Sequence, residues 1–220
     1  MTAPTSLVVL ISGGGSNLQA IIDACESQNI NATINAVISN RPNAGGLERA
    51  KKSNIPALSI DHTKFPNRES FDAELVKIID QHQPELIILA GFMRILSAPF
   101  IKHFSGRILN IHPSLLPKFP GLNTHARAID AGESQHGCSV HFVTEALDGG
   151  PLIAFSELDI DPGDTPASLA ERVLTMEHKL YPKVISLLTE KRLYMKGSTI
   201  ELDGERLTSP LKIIEHDCDN

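Results

Sequence analysis

Five short apolar runs recur along the first half of the chain, and a stretch with helical spacing separates each from the next. The runs cover residues 7–11, 34–39, 57–60, 86–90 and 107–111, and the helical stretches cover 17–28, 47–53, 71–81 and 98–104. Leu18, Ile21 and Ile22 share one face of the first helix, and Leu75, Ile78 and Ile79 point inward from the third. A run with little polar alternation reads as a strand buried on both faces. Strands alternating with helices in this way build a parallel sheet covered by helices. The expected fold class is therefore α/β, a mainly parallel twisted sheet flanked by helices. Ligands bind such sheets beyond the carboxyl ends of the strands. The loops after Ile11, Ala90 and Ile111 are thus candidates for one shared site.

The second half changes character. Residues 139–143 and 152–160 read as strands joined by a Gly-rich turn, an antiparallel extension of the fold. Residues 166–188 form a long amphipathic helix capped by Thr165 with Pro166 at its first position. Pro182 is expected to kink or divide that helix. Asp203-Gly204, between short strand-like runs over 199–207, signals a hairpin. The acidic tail from Glu215 is expected to fray. One domain over 1–220 is expected, with a phosphate-binding half over 6–112 and a second half over 113–220. The formal net charge of −6 argues against a nucleic-acid partner, though not against a small anion held by backbone amides. Cys25, Cys138 and Cys218 indicate neither a disulfide framework nor a metal site. Residues 1–6 lack a signal-like start, and no apolar run is long enough to span a bilayer, so a cytoplasmic protein without a membrane partner is expected.

Two of the strand-end loops carry residue types suited to chemistry. Ser12-Gly13-Gly14-Gly15-Ser16-Asn17 joins a strand to a helix. Glycines permit a tight turn, and a helix start offers unpaired amides to a phosphate; a plain turn with a helix cap is the competing reading. The loop lacks the Gly-Lys-Ser/Thr ending of a P-loop. Leu18 stands where a dinucleotide fingerprint has its third glycine, and Ser39-Asn40-Arg41 offers no acid to a ribose. A mononucleotide or sugar phosphate therefore fits better than NAD.

The other loop is Asn110-Ile111-His112-Pro113-Ser114-Leu115-Leu116-Pro117. Alternate residues of an extended chain face one side, so Asn110 and His112 point into one site, and the prolines stiffen the loop behind them. An amide donor beside an imidazole suits a carbonyl whose oxygen becomes negative during attack, which indicates acyl chemistry. His125 and His141 are candidates to line the same cavity. A catalytic His calls for an acid, and Asp148 in Leu147-Asp148-Gly149-Gly150-Pro151 is the best candidate; the glycines would let the chain approach a ligand closely. Such a carboxylate favours an imidazolium. A turn Asp capping its own backbone is the alternative. Gly91-Phe92-Met93-Arg94-Ile95-Leu96 reads either as a slot for a flat ring or as a core-facing loop. Glu177, taken alone, reads as a solvated helical acid.

Together these segments resemble the folate-dependent formyltransferases, and among them the glycinamide ribonucleotide (GAR) transformylases of purine synthesis, from Val8 to about Leu207. The resemblance rests on Ile11-Ser12-Gly13-Gly14-Gly15-Ser16-Asn17-Leu18, Leu89-Ala90-Gly91-Phe92-Met93-Arg94-Ile95-Leu96, the Asn110 to Pro117 string, His136-Gly137, Ser139-Val140-His141-Phe142-Val143 and Leu147-Asp148-Gly149-Gly150-Pro151. It implies a mononucleotide-binding topology and formyl transfer from 10-formyltetrahydrofolate to the GAR amine. Asn110, His112 and Asp148 match the family's catalytic trio. Gly13, Gly14, Gly15, Ser16 and Asn17 match its ribonucleotide phosphate loop, and Glu177 its substrate-holding acid. Arg68, Met93, Arg94, Ile95, Leu96, Asn110, Thr144, Glu145, Ala146, Leu147 and Asp148 match positions around the folate. The implied partners are small molecules only, GAR and folate, with no metal and no NAD, and the implied assembly is a monomer or homodimer. Gly14 stands where some members carry Asn, and Leu174 where members carry a polar residue near the phosphate. The alternatives are a formyltetrahydrofolate hydrolase, whose relatives carry an extra N-terminal domain, and a non-catalytic nucleotide- or folate-binding module. Methionyl-tRNA formyltransferase shares the His-Pro-Ser-Leu-Leu-Pro string but adds a tRNA-binding domain.

Overall fold

A computed structural model describes residues 3–213; the tail expected to fray from Glu215 lies outside them. The chain divides into two compact units, with the boundary between Asn110 and Ile111.

The first unit is built as the apolar runs predict. Strands β1 (Thr5–Ile11), β2 (Ala32–Ser39), β3 (Ala57–Ser59), β4 (Leu86–Leu89) and the start of β5 (Ile108–His112) pair in the order β5-β4-β1-β2-β3, all parallel. Leu7, Val8, Val9, Leu10 and Ile11 have no exposed surface, as a central parallel strand requires. Helices α1 (Ser16–Glu26), α2 (Gly45–Lys52), α3 (Arg68–Gln81) and α4 (Ala98–His103) form the crossovers. Helix α1 buries Leu18, Ile21 and Ile22. Helix α3 buries Leu75 and Ile79, while Ile78 is only half-buried. It also begins three residues earlier than its apolar period indicates, because the Asn67 side chain caps it by accepting from the Ser70 N–H at 2.8 Å. Chain order reverses between β1 and β4, so the loops that leave these two strands diverge at a switch point, where open α/β sheets place ligands.

The second unit holds the expected antiparallel pair, β6 (Gln135–Phe142) with β7 (Leu152–Asp159). β6 starts at Gln135 rather than Ser139 and includes His136. A short helix, α5 (Thr124–Asp130), precedes it, and α6 (Pro166–Thr189) packs on β6, β7 and α5. The Thr165 cap is present as a reciprocal pair: Ser168 N–H donates to Thr165 Oγ1 at 3.1 Å, and Thr165 N–H to Ser168 Oγ at 2.9 Å. Pro182 does not divide the helix, which runs unbroken for 24 residues. The missing N–H is tolerated because Leu180, Tyr181, Val184 and Ile185 are fully buried around it, and that packing holds the segment helical.

The expected hairpin is present between β9 (Thr199–Leu202) and β10 (Glu205–Arg206), with Asp203 and Gly204 both at positive φ, as a type I′ turn needs. A strand before it, β8 (Leu193–Lys196), pairs with β9, and β11 (Leu211–Lys212) adds in parallel to β7. Among the described residues, no helix is long and apolar enough to cross a membrane.

Candidate active site

In the first unit, the loop from Ser12 to Gly15 carries the chain from β1 into α1. Gly15 stands at the N-cap with φ 75° and gives the helix no side-chain cap. Only glycine serves there: a Cβ would lie 2.6 Å from the Gly46 Cα at the start of α2. Gly13 and Gly14 differ, since a Cβ on either meets nothing within 4 Å. The departure at Gly14 therefore leaves open space rather than a steric constraint.

The sequence reading missed one neighbour of this loop. Arg49, half-buried on α2, donates from Nε to the Gly14 carbonyl at 2.8 Å and from Nη1 to Gln19 Oε1 at 3.3 Å. It lies thirty-five residues from Gly14 in the chain, and no local motif marks it.

The segment after β4 is neither purely a slot nor purely core. Phe92 and Leu96 are buried anchors, whereas Met93 and Ile95 stand 61% and 56% exposed. The first turns of α3 hold it. The Arg94 guanidinium stacks 4.7 Å over Phe71, and Asp72 Oδ2 accepts from the Ser97 N–H at 2.6 Å. Arg68, exposed, begins the same helix one turn before Asp72.

In the second unit, His112 at the end of β5 is buried and both of its ring nitrogens face acceptors. Nε2 lies 3.0 Å from the Phe119 carbonyl, which can only accept, and Nδ1 lies 3.5 Å from Asp148 Oδ2. Nε2 is therefore a donor to that carbonyl. Asn110 precedes His112 by two positions on β5, so strand periodicity gives both the same face.

Asp148 sits in the left-handed region at φ 49°, which Asp tolerates better than most residues. Its side chain does not cap its own turn. Instead Oδ2 accepts from the Gly121 N–H at 2.8 Å, and Oδ1 lies 3.8 Å from His141 Nε2. The neighbouring glycines are required by the protein's own chain: a Cβ on Gly150 would sit 1.9 Å from the Phe142 carbonyl oxygen, and one on Gly149 2.9 Å from the Ala146 Cβ. Residues Thr144, Glu145, Ala146 and Leu147 form the half-buried to exposed approach to Asp148, with Leu147 55% exposed.

His141 is buried with Nδ1 2.9 Å from the Phe142 carbonyl, and burial pushes its pKa down against the pull of Asp148. His125 lies against His136, Nδ1 to Nε2 at 3.1 Å, and its pKa is pushed down by burial and then by the charge of His112. Burial, and then the charge of His125, push the His136 pKa down to about 4. Glu177 is buried on α6 rather than solvated, and its charge helps raise the Cys138 thiol, after the larger effect of burial. Leu174, one turn earlier, is half-buried.

The chain is similar to known proteins along most of its length. The formyl transferase family model matches residues 5–185. The phosphoribosylglycinamide formyltransferase of Escherichia coli K12 is 51% identical over 202 residues, covering 92% of this chain and 95% of that protein. The human trifunctional purine biosynthetic protein adenosine-3 is 44% identical over 182 residues; they cover 83% of this chain and 18% of that much longer protein. Among solved structures, the phosphoribosylglycinamide formyltransferase of Coxiella burnetii superposes with a TM-score of 0.91 at 51% identity, covering 96% of this chain and all of that one.

Proposed function

The chain belongs to the formyl transferase family, and from that premise we propose that it transfers the formyl group of 10-formyltetrahydrofolate to the amine of GAR. The products are formyl-GAR and tetrahydrofolate, in purine biosynthesis. The observation that carries the reading is the buried His112 with acceptors at both ring nitrogens, one of them the carboxylate of Asp148.

The reaction needs no enzyme nucleophile, because the GAR amine itself attacks the formyl carbon. As that C–N bond forms, the formyl oxygen becomes an oxyanion. The Asn110 amide donates a hydrogen bond to it, and the His112 imidazolium stabilises its charge. The proton lost by the attacking amine passes to the departing folate nitrogen as its bond to carbon breaks, with His112 assisting through water. Asp148 keeps His112 charged and oriented. Gly13, Gly14, Gly15, Ser16 and Asn17 receive the GAR phosphate at the N-terminal end of α1, where the helix dipole favours an anion, and Glu177 holds the substrate amine side. Arg68, Met93, Arg94, Ile95, Leu96 and the 144–148 segment, Thr144 to Asp148, hold the folate. The remaining assignments are small-molecule partners only, a monomer or homodimer, and a cytoplasmic setting.

Replacing His112 with Ala tests the assignment. Turnover is expected to fall by about a hundredfold or more, while GAR binding, followed by titration calorimetry, largely survives. Near-normal turnover in a folded His112→Ala variant would remove His112 from the chemistry.

A further inference from the structure

Ser12 opens the phosphate loop in sequence, yet every polar group it has for binding is already committed elsewhere. Its N–H donates to the Gly91 carbonyl at 3.1 Å. Its hydroxyl oxygen accepts from the Met93 N–H at 2.7 Å and lies 2.6 Å from Asn40 Oδ1. The hydroxyl donates its proton to Asn40 Oδ1, with the Asn40 amide oxygen turned toward Ser12. Asn40 is held in turn by its main chain, since His62 Nδ1 donates to the Asn40 carbonyl at 2.8 Å. Ser12 and Asn40 are 3% and 1% exposed. No donor on Ser12 remains for a phosphate. What it grips is the segment that presents Met93 and Ile95.

We infer that Ser12, oriented by Asn40, is a positioning residue for the folate substrate and not a phosphate ligand; this rests on the proposed folate role of residues 93–96. The two loops at the β1/β4 switch point thereby divide the work. Gly13 to Asn17 face the ribonucleotide, and Ser12 turns back to set the Gly91–Met93 backbone. Removing its hydroxyl takes a partner from the Met93 N–H and from the buried Asn40, and the segment moves to recover partners.

The test is Ser12→Ala, read by steady-state kinetics in both substrates and by fluorescence titration with tetrahydrofolate. The Michaelis constant for 10-formyltetrahydrofolate, and the tetrahydrofolate Kd, are expected to rise roughly tenfold. The Michaelis constant for GAR should move less than about twofold and kcat less than about threefold. A rise for GAR with folate unmoved would overturn the proposal and return Ser12 to the phosphate cradle. A lower melting temperature with neither constant changed would overturn it in favour of a purely structural role.

Should Ser12→Ala not fold, Asn40→Asp and Asn40→Leu make the same comparison. The Asp variant keeps an acceptor for the Ser12 hydroxyl and should stay closer to the wild-type folate Kd than the Leu variant; equal affinities would refute the proposal. Wild-type protein that binds tetrahydrofolate but shows no GAR-dependent turnover would contradict the formyl-transfer reading while leaving the Ser12 test intact. Wild-type protein that binds no tetrahydrofolate would overturn both.

Discussion

Asp148→Asn isolates the charge of Asp148 from its shape. The amide oxygen can still accept from the Gly121 N–H, now at 2.8 Å from the carboxylate, and Asn tolerates the left-handed φ of 49°. What disappears is the negative charge 3.5 Å from His112 Nδ1. At that separation the attraction is about 4 to 5 kcal/mol at an effective dielectric near ~20. His141 does not share it as a cation, because burial pushes its pKa down. Both partners of the pair are largely buried, their side chains 7% and 10% exposed, so water compensates only part of the loss. A net cost of about 3 kcal/mol in the charged transition state corresponds to a fall in kcat on the order of a hundredfold. The assay is tetrahydrofolate formation at saturating GAR and formylfolate. The Michaelis constant for GAR should stay within about threefold and the urea midpoint close to wild type. A folded Asp148→Asn protein with kcat within about fivefold of wild type would refute the charge-pairing role.

The phosphate loop should discriminate sharply between adjacent glycines. Gly15→Ala places a Cβ 2.6 Å from the Gly46 Cα at a positive φ, and should raise the Michaelis constant for GAR at least about tenfold; Gly14→Asn meets open space and should change it by less than about threefold. Gly150→Ala drives a Cβ to 1.9 Å from the Phe142 carbonyl, so the turn carrying Asp148 must shift, and a loss of about 2 kcal/mol or more of stability in urea unfolding is expected together with lost turnover.

His136 predicts an acid-side instability. Its folded pKa of about 4 lies below the ordinary 6.5, so below pH 6.5 the unfolded chain takes up a proton that the folded one refuses. Its stabilising contribution is whole above 6.5 and is lost as pH falls from there toward about 4, reaching about 3 kcal/mol. His136→Gln should flatten that part of the stability profile in urea unfolding at pH 7.5 and 5, and an unchanged pH slope would refute it.

The alternation of apolar runs and helical stretches made the parallel sheet of the first unit legible, because strands buried on both faces leave little polar residue in their runs. It also made the loops at their carboxyl ends identifiable. The Asn110–His112 spacing was readable for the same reason, since strand periodicity is local. Other features depend on partners distant in sequence. Glu177 looks like any helical acid until α6 packs on β6 and β7 and buries it. Arg49 reaches the phosphate loop from another helix. The Asp148 glycines relieve contacts with Phe142 and Ala146 that no motif announces. Helix α5 has only Thr124 and Ala128 buried, too weak a stripe to be seen as a period, and Pro182 survives inside α6 through packing that overrides its local preference.

The most direct measurement is the release of tetrahydrofolate from 10-formyltetrahydrofolate, followed by absorbance with and without GAR. Product that forms only when GAR is present, with formyl-GAR appearing in equal amount, is the predicted result. Product at the same rate without GAR would make the protein a hydrolase, and no product in either case would contradict formyl transfer through Asn110, His112 and Asp148.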